Sequence, residues 1–88
     1  MSYLKFPLNY QRAGTTVEVS LRGVESDVLL MDSSNLSSFE RGGRCTYFGG
    51  HTRSSLVRLT VPTSGTWTVV VRPSGGTVHA EVRVSAAA

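Results

Sequence analysis

Phe39, Arg41, Arg44, Tyr47, Phe48, His51 and Arg53 gather between positions 39 and 53, spaced by four glycines. Arginine beside aromatic side chains is a pairing suited to holding an anion or stacking on a base or sugar ring. Glycine lets a backbone approach a ligand closely. Arg41, Arg44, Tyr47, Phe48, His51 and Arg53 are therefore the candidate ligand-binding residues. The same stretch also reads as a crossover whose aromatics cap the core and whose arginines are solvated, or as a contact between subunits. Cys45 and His51 form the only thiol–imidazole pair within reach by sequence, but a thiol at the start of a short strand is more often packed than reactive. Asp27, Asp32 and Asn35 offer hard oxygens of the kind calcium takes. Asp32-Ser33-Ser34-Asn35 is equally an ordinary turn in which side chains bond nearby N–H groups. G-x-S-x-G, H-E-x-x-H, a phosphate loop and a paired Cys/His set are absent from the chain. The residues thus predict no enzyme, no catalytic residue, no metal and no cofactor.

The elements that must position these residues belong to a small chain. Its 88 residues suit a single domain spanning 1–88. A net charge of +3 rests on eight arginines and one lysine scattered along the sequence, a distribution that fits a solvated surface better than a nucleic-acid footprint. One cysteine excludes an intrachain disulfide, and a β-domain this small without disulfides points to a reducing compartment. The opening MSYLKFPLNYQR carries no continuous apolar stretch of a secretory signal, and no run is long enough for a membrane helix. The expected location is cytoplasmic, with no membrane partner.

Period-two alternation recurs throughout. Leu4, Phe6 and Leu8 alternate with Tyr3, Lys5 and Pro7; Val17, Val19 and Leu21 alternate with Glu18, Ser20 and Arg22; Val78, Ala80, Val82 and Val84 alternate with His79, Glu81 and Arg83. Pro7 marks an edge strand or a bulge. Leu56 to Arg72 reads as a β-hairpin, with Val57, Leu59 and Val61 before Pro62-Thr63-Ser64-Gly65 and Trp67, Val69 and Val71 after it. Asp32 to Glu40 is rich in Ser and Asn and reads as a loop with one helical turn at most. Cys45 to Phe48 reads as a short strand, Gly49 to Arg53 as a glycine-rich loop, and 86–88 as a frayed tail. About seven to eight short strands with regular turn signals predict an all-β fold, a two-sheet antiparallel β-sandwich of jelly-roll type. In Asp27-Val28-Leu29-Leu30-Met31, Val28 and Leu30 face one side and Leu29 and Met31 the other. One sheet buries only one such set against its own core, so the second set needs a cover. The 39–53 stretch is one candidate cover and a second copy is another. A two-fold homodimer is expected, through Leu29 or Met31 or through a paired edge strand.

Thr16 to Val19, Asp27 to Asn35 and Val61 to Trp67 together resemble a small bacterial family of unknown function. Its members carry motifs close to LMDDSN, RRG…YYGG and VPxSGxWxVV. Here these stand as Leu30 to Asn35, as Glu40-Arg41-Gly42 with Tyr47-Phe48-Gly49-Gly50, and as Val61 to Val70. The resemblance implies a compact β-sandwich that occurs alone or beside TIR domains, and implies no known activity. A looser similarity extends to pre-peptidase and collagen-binding jelly-rolls. The resulting expectation is a non-catalytic binding or interaction module, acting as a sensor or adaptor or by self-association, with a TIR-type or other protein as partner. The alternative is carbohydrate or small-anion binding through the 39–53 residues.

Overall fold

A computed structural model describes residues 3–86. Seven strands and one helix follow in the order β1 (Leu4–Gln11), β2 (Thr16–Gly23), β3 (Ser26–Asp32), α1 (Ser33–Glu40), β4 (Phe48–Thr52), β5 (Leu56–Thr60), β6 (Gly65–Pro73) and β7 (Val78–Ser85). They form two antiparallel sheets, β1-β6-β3-β4 and β5-β2-β7. The expected two-sheet antiparallel sandwich is the architecture observed. Of the expected tail, Ala86 lies beyond β7, and 87–88 lie outside the described residues. No helix among the described residues is long and apolar enough to cross a membrane.

The alternating side chains explain the core. Val17, Val19 and Leu21 of β2 meet Val28, Leu30, Val69 and Val71 across the two sheets, with Val61, Trp67 and Val78 closing the ends. Phe6 and Leu8 pack against this cluster from β1, and Val57, Leu59, Ala80 and Val82 from β5 and β7. Leu4 and Val84, expected inward, are both more than a third exposed, because β1 and β7 are edge strands, each with a neighbour in its sheet on one flank only. The register of β1 on β6 slips between Pro7 and Asn9, so Leu8 is an extra residue there, and Asn9 takes φ 63°. This is the bulge that Pro7 announces.

The expected hairpin at Leu56–Arg72 is corrected. β5 pairs with β2 in one sheet, whereas β6 lies between β1 and β3 in the other. Val61 extends the β5 side: its N–H donates to the Thr15 carbonyl at 2.9 Å, and its carbonyl accepts from Gly14 N–H at 2.8 Å. The chain then arches across the core, propped by Trp67, whose indole Nε1–H donates to the Thr63 carbonyl at 2.8 Å. Alternation cannot separate a hairpin from such an arch, since both point their apolar residues inward.

Two further expectations change around position 40. Asp32 to Glu40 is not a loop but carries the full α-helix α1, eight residues long. Asp32 holds the extended conformation of an N-cap (φ −78°, ψ 174°), and its Oδ1 accepts from the Asn35 N–H at 2.9 Å. Leu36 and Phe39, three apart, fall on one helical face. The strand expected at Cys45–Phe48 begins only at Phe48, so Gly49, Gly50 and His51 belong to β4 rather than to a loop. Gly49 (φ 110°) and Gly50 (φ 151°) have backbone angles that L side chains rarely adopt. A Cβ on Gly49 would collide with the Val28 carbonyl oxygen.

α1 also settles what covers the second face of β3. Leu29, Met31 and Val70 form a small cluster closed by Tyr3, Leu36, Phe39 and Cys45 of the same chain. Leu29 is 2% exposed and Met31 0%. The expected use of Leu29 or Met31 as an intersubunit contact is therefore corrected: the helix hidden in a serine-rich stretch does the covering.

Candidate functional site

Past the C-terminal end of α1, the outer face of the four-stranded sheet turns from apolar to charged. Three adjacent strands place Asp27, His51 and Arg72 in one row, since Asp27 of β3 lies directly opposite His51 of β4 and Arg72 of β6. Arg72 donates through Nε (3.1 Å) and Nη2 (2.9 Å) to Asp27 Oδ2. His51 Nδ1 lies 3.0 Å from Asp27 Oδ1, and its Nε2 lies 3.1 Å from Glu25 Oε1. Arg53 Nε reaches Glu25 Oε2 at 2.9 Å. The result is an alternating chain of charge, Arg53–Glu25–His51–Asp27–Arg72.

The titrations follow from these contacts. Partial burial pushes the Asp27 carboxyl upward, but bonds from Arg72 and His51, with their charges, outweigh it and hold the group below its ordinary value. The bond to Asp27, then the bond to Glu25, raises the His51 imidazole above its ordinary 6.5. Both ring nitrogens face carboxylates, so the imidazole serves best as a doubly donating cation. It clamps β4 to β3 and presents no free nitrogen for taking a proton.

Arg72 joins this row to the helix: its guanidinium carbon sits 5.7 Å from the Phe39 ring centroid. Tyr3 meets the same ring edge-on at 5.2 Å. Together Tyr3, Phe39, Glu40, Gly42, Gly43 and Arg72 line an open cleft of about 360 Å³. Lys5 Nζ, 2.8 Å from Glu40 Oε2, ties β1 to the end of α1, and that bond raises the lysine's pKa.

The candidate ligand residues divide into two groups. His51 and Arg53 belong to the charged chain. Arg41 caps α1, donating from Nη1 to Ser37 Oγ at 3.0 Å. Arg44 is exposed on the segment that runs back along the helix. That segment is pinned where Thr46 N–H donates to Asn35 Oδ1 at 2.7 Å. Tyr47 and Phe48 follow, 46% and 43% exposed, with the Phe48 ring tilted against Trp67 at 6.1 Å. Cys45 packs under α1, while both His51 nitrogens are turned to Glu25 and Asp27. Asp32 and Asn35 meet at the helix N-terminus, with Asn35 Nδ2 donating to Asp32 Oδ1 at 2.9 Å, whereas Asp27 lies at the other end of β3. Among the described residues, no three His, Cys, Asp or Glu side chains gather as a metal set.

Sequence reasoning did not single out Glu25 or Arg72, and it weighed Asp27 only as a calcium ligand. The available signal was a charge at the outward position of two otherwise apolar strands: Asp27 opening DVLLM and Arg72 ending VVVR.

Comparison with curated proteins gives no match, and comparison with solved structures gives none. The family comparison covers the whole chain: over residues 1–88 it matches the family described as a domain of unknown function, DUF1883, and the chain belongs to that family.

Proposed function

We propose that this domain is a non-catalytic interaction module that meets a protein partner with the rim formed by residues 41–48. The observation that carries the reading is the pair Tyr47–Phe48, two aromatic rings nearly half exposed on a backbone held at both sides. Aromatic and arginine side chains dominate binding hot spots because they bring large contact area at small entropic cost. Arg41 and Arg44 precede the rings along the same segment as exposed cations. The charged chain below them is engaged internally and serves to fix β4.

The test compares wild type with Tyr47→Ala and Arg44→Ala. The reading expects affinity capture of a defined protein by wild type, lost in Tyr47→Ala, and no binding on glycan or nucleotide arrays. Array binding that Arg44→Ala removes would instead establish the carbohydrate or small-anion alternative on the same rim.

A further inference from the structure

The four edge strands of the sandwich are not equally protected. β1 carries Pro7 and the bulge at Leu8. β4 has five residues, two of them glycines at positive φ. β5 is equally short. β7 has eight residues, VHAEVRVS, without proline or glycine, and pairs with β2 in unbroken register from Gly23–Val78 to Thr16–Ser85. Among the described residues, its other flank has no strand beside it. Proteins blunt such edges with proline, bulges, short length or charge; β7 has only the last, and its two charges, Glu81 and Arg83, are of opposite sign and stand two residues apart.

We propose that β7 pairs antiparallel with β7 of a second copy, joining two three-stranded sheets into one, about a two-fold axis through Val82. The side-chain pattern selects both partner and register. The faces of the joined sheet stay aligned only when opposed residues share parity. Centring the axis on Glu81 sets Glu81 against Glu81, and centring it on Arg83 sets Arg83 against Arg83, both repulsive. Centring it on Ala80 leaves Val84 opposite Gly76, in the turn before β7. Centring it on Val82 sets Glu81 opposite the second copy's Arg83, twice by symmetry, and places His79 opposite Ser85. On the inner face Val82 meets Val82, and Ala80 meets Val84. Val84 is 41% exposed in the single chain although it lies opposite the fully buried Val17, and this register gives it an apolar neighbour. Arg83 already faces Glu18 across β2, so the row becomes Glu18–Arg83–Glu81 from one copy into the next. The contact is isologous and closes on itself.

This surface differs from the 41–48 rim. β4 packs beside β5, at the opposite edge of the second sheet from β7. The inference therefore stands or falls independently of the interaction-module reading. The area is that of one strand pair, below the ~1,200 Å² of a standard stable interface, so association belongs in the micromolar-to-millimolar range.

The test is analytical ultracentrifugation of wild type, Glu81→Arg and the swap Glu81→Arg/Arg83→Glu, over about 0.01–1 mM. Both positions are exposed, and thermal melts establish that each variant is folded. Wild type should dimerise. Glu81→Arg turns both cross-pairs repulsive and should weaken the dimer by about tenfold or more, and the swap should restore part of it, since Arg83→Glu also sets a carboxylate opposite Glu18 within each chain. A wild type that stays monomeric overturns the proposal. So does a Glu81→Arg variant that associates like wild type, or a swap no better than the single change.

Discussion

Replacing Asp32 with alanine should open α1 while the sandwich beneath it stays folded. Five of the eight helical residues are Ser or Asn, each on the order of 0.5 kcal/mol worse than alanine in a helix. An isolated helix this short does not form in water. α1 therefore depends on the packing of Leu36 and Phe39 over Leu29, Met31 and Val70 and on its cap. Asp32 Oδ1 accepts from both the N–H and the Nδ2 of Asn35, and Asn35 Oδ1 in turn holds Thr46 N–H. Losing the carboxylate removes an N-cap worth about 1–2 kcal/mol and frees the side chain that pins the return segment. That energy corresponds to roughly a 5–30-fold larger open population. Cys45, partly covered within the cluster that α1 closes, provides the assay. Labelling with a neutral thiol reagent under native conditions should accelerate by up to about the same 5–30-fold, reached where the open state dominates the reaction, and the Tm should fall by roughly 4–8 °C per kcal/mol. Asp32→Asn keeps an acceptor and should restore most of the protection. Labelling of Asp32→Ala within twofold of wild type would refute the argument that the cap holds this lid of the outer face.

Trp67→Ala should cost ~3–5 kcal/mol, because it empties the end of the core and removes the prop under the arch; chemical denaturation measures it, and a midpoint near wild type would contradict the placement. Gly49→Ala should cost more than ~1 kcal/mol, since alanine at positive φ is strained and its Cβ meets the Val28 carbonyl; the urea midpoint checks this. The charged row should also shape the pH profile of stability. His51 is raised when folded, so its contribution is complete below 6.5 and is lost as pH rises through the raised value. Asp27 is lowered, so its contribution is present above 3.8 and is lost as pH falls through the depressed value. Urea midpoints across pH should fall on both sides of this window, and His51→Gln should flatten the alkaline decline.

The strands were legible wherever one face is wet. Val17–Leu21 and Val78–Val82 alternate cleanly because the β5-β2-β7 sheet has a core side and a solvent side. The double-sided apolar character of Leu29 to Met31 correctly announced a second cover. The cover itself was obscured because serine and asparagine, poor helix formers inside a helix, are good ones at its start. Asp32 and Asn35 looked like a turn for the same reason that they make a cap. β4 was hidden by Gly49 and Gly50, which count against a strand unless the close approach of the Val28 carbonyl to Gly49 is known. The row Asp27–His51–Arg72 is a product of register between β3, β4 and β6, and nothing local in the three segments fixes that register. Of the candidate site, the exposure of Tyr47 and Phe48 and the position of Arg44 depend on two tertiary anchors, the Thr46–Asn35 hydrogen bond on one side and the pairing of Phe48 with Leu30 on the other.

The alternation of the chain between sheets bears on how the molecule comes to exist. Every strand-to-strand connection except β3 to β4 carries the chain from one sheet to the other. During synthesis, β1 and β3 must both wait for β6, which lies between them, and β2 must wait for β5 and then β7. Leu4 finds Val71, and Gly23 finds Val78, only once more than fifty further residues have been made. Such pairings carry their loop-closure cost before any reward, which places folding in the millisecond-to-second range rather than the microsecond range. The unit β3–α1–β4, which holds its own helix cap and four apolar side chains of the outer cluster, Leu29, Met31, Leu36 and Phe39, is the one piece whose strands can meet early, and Val70 of β6 completes that cluster later. The rest of the chain closes around it after β6 has emerged, and the last strand to arrive is β7.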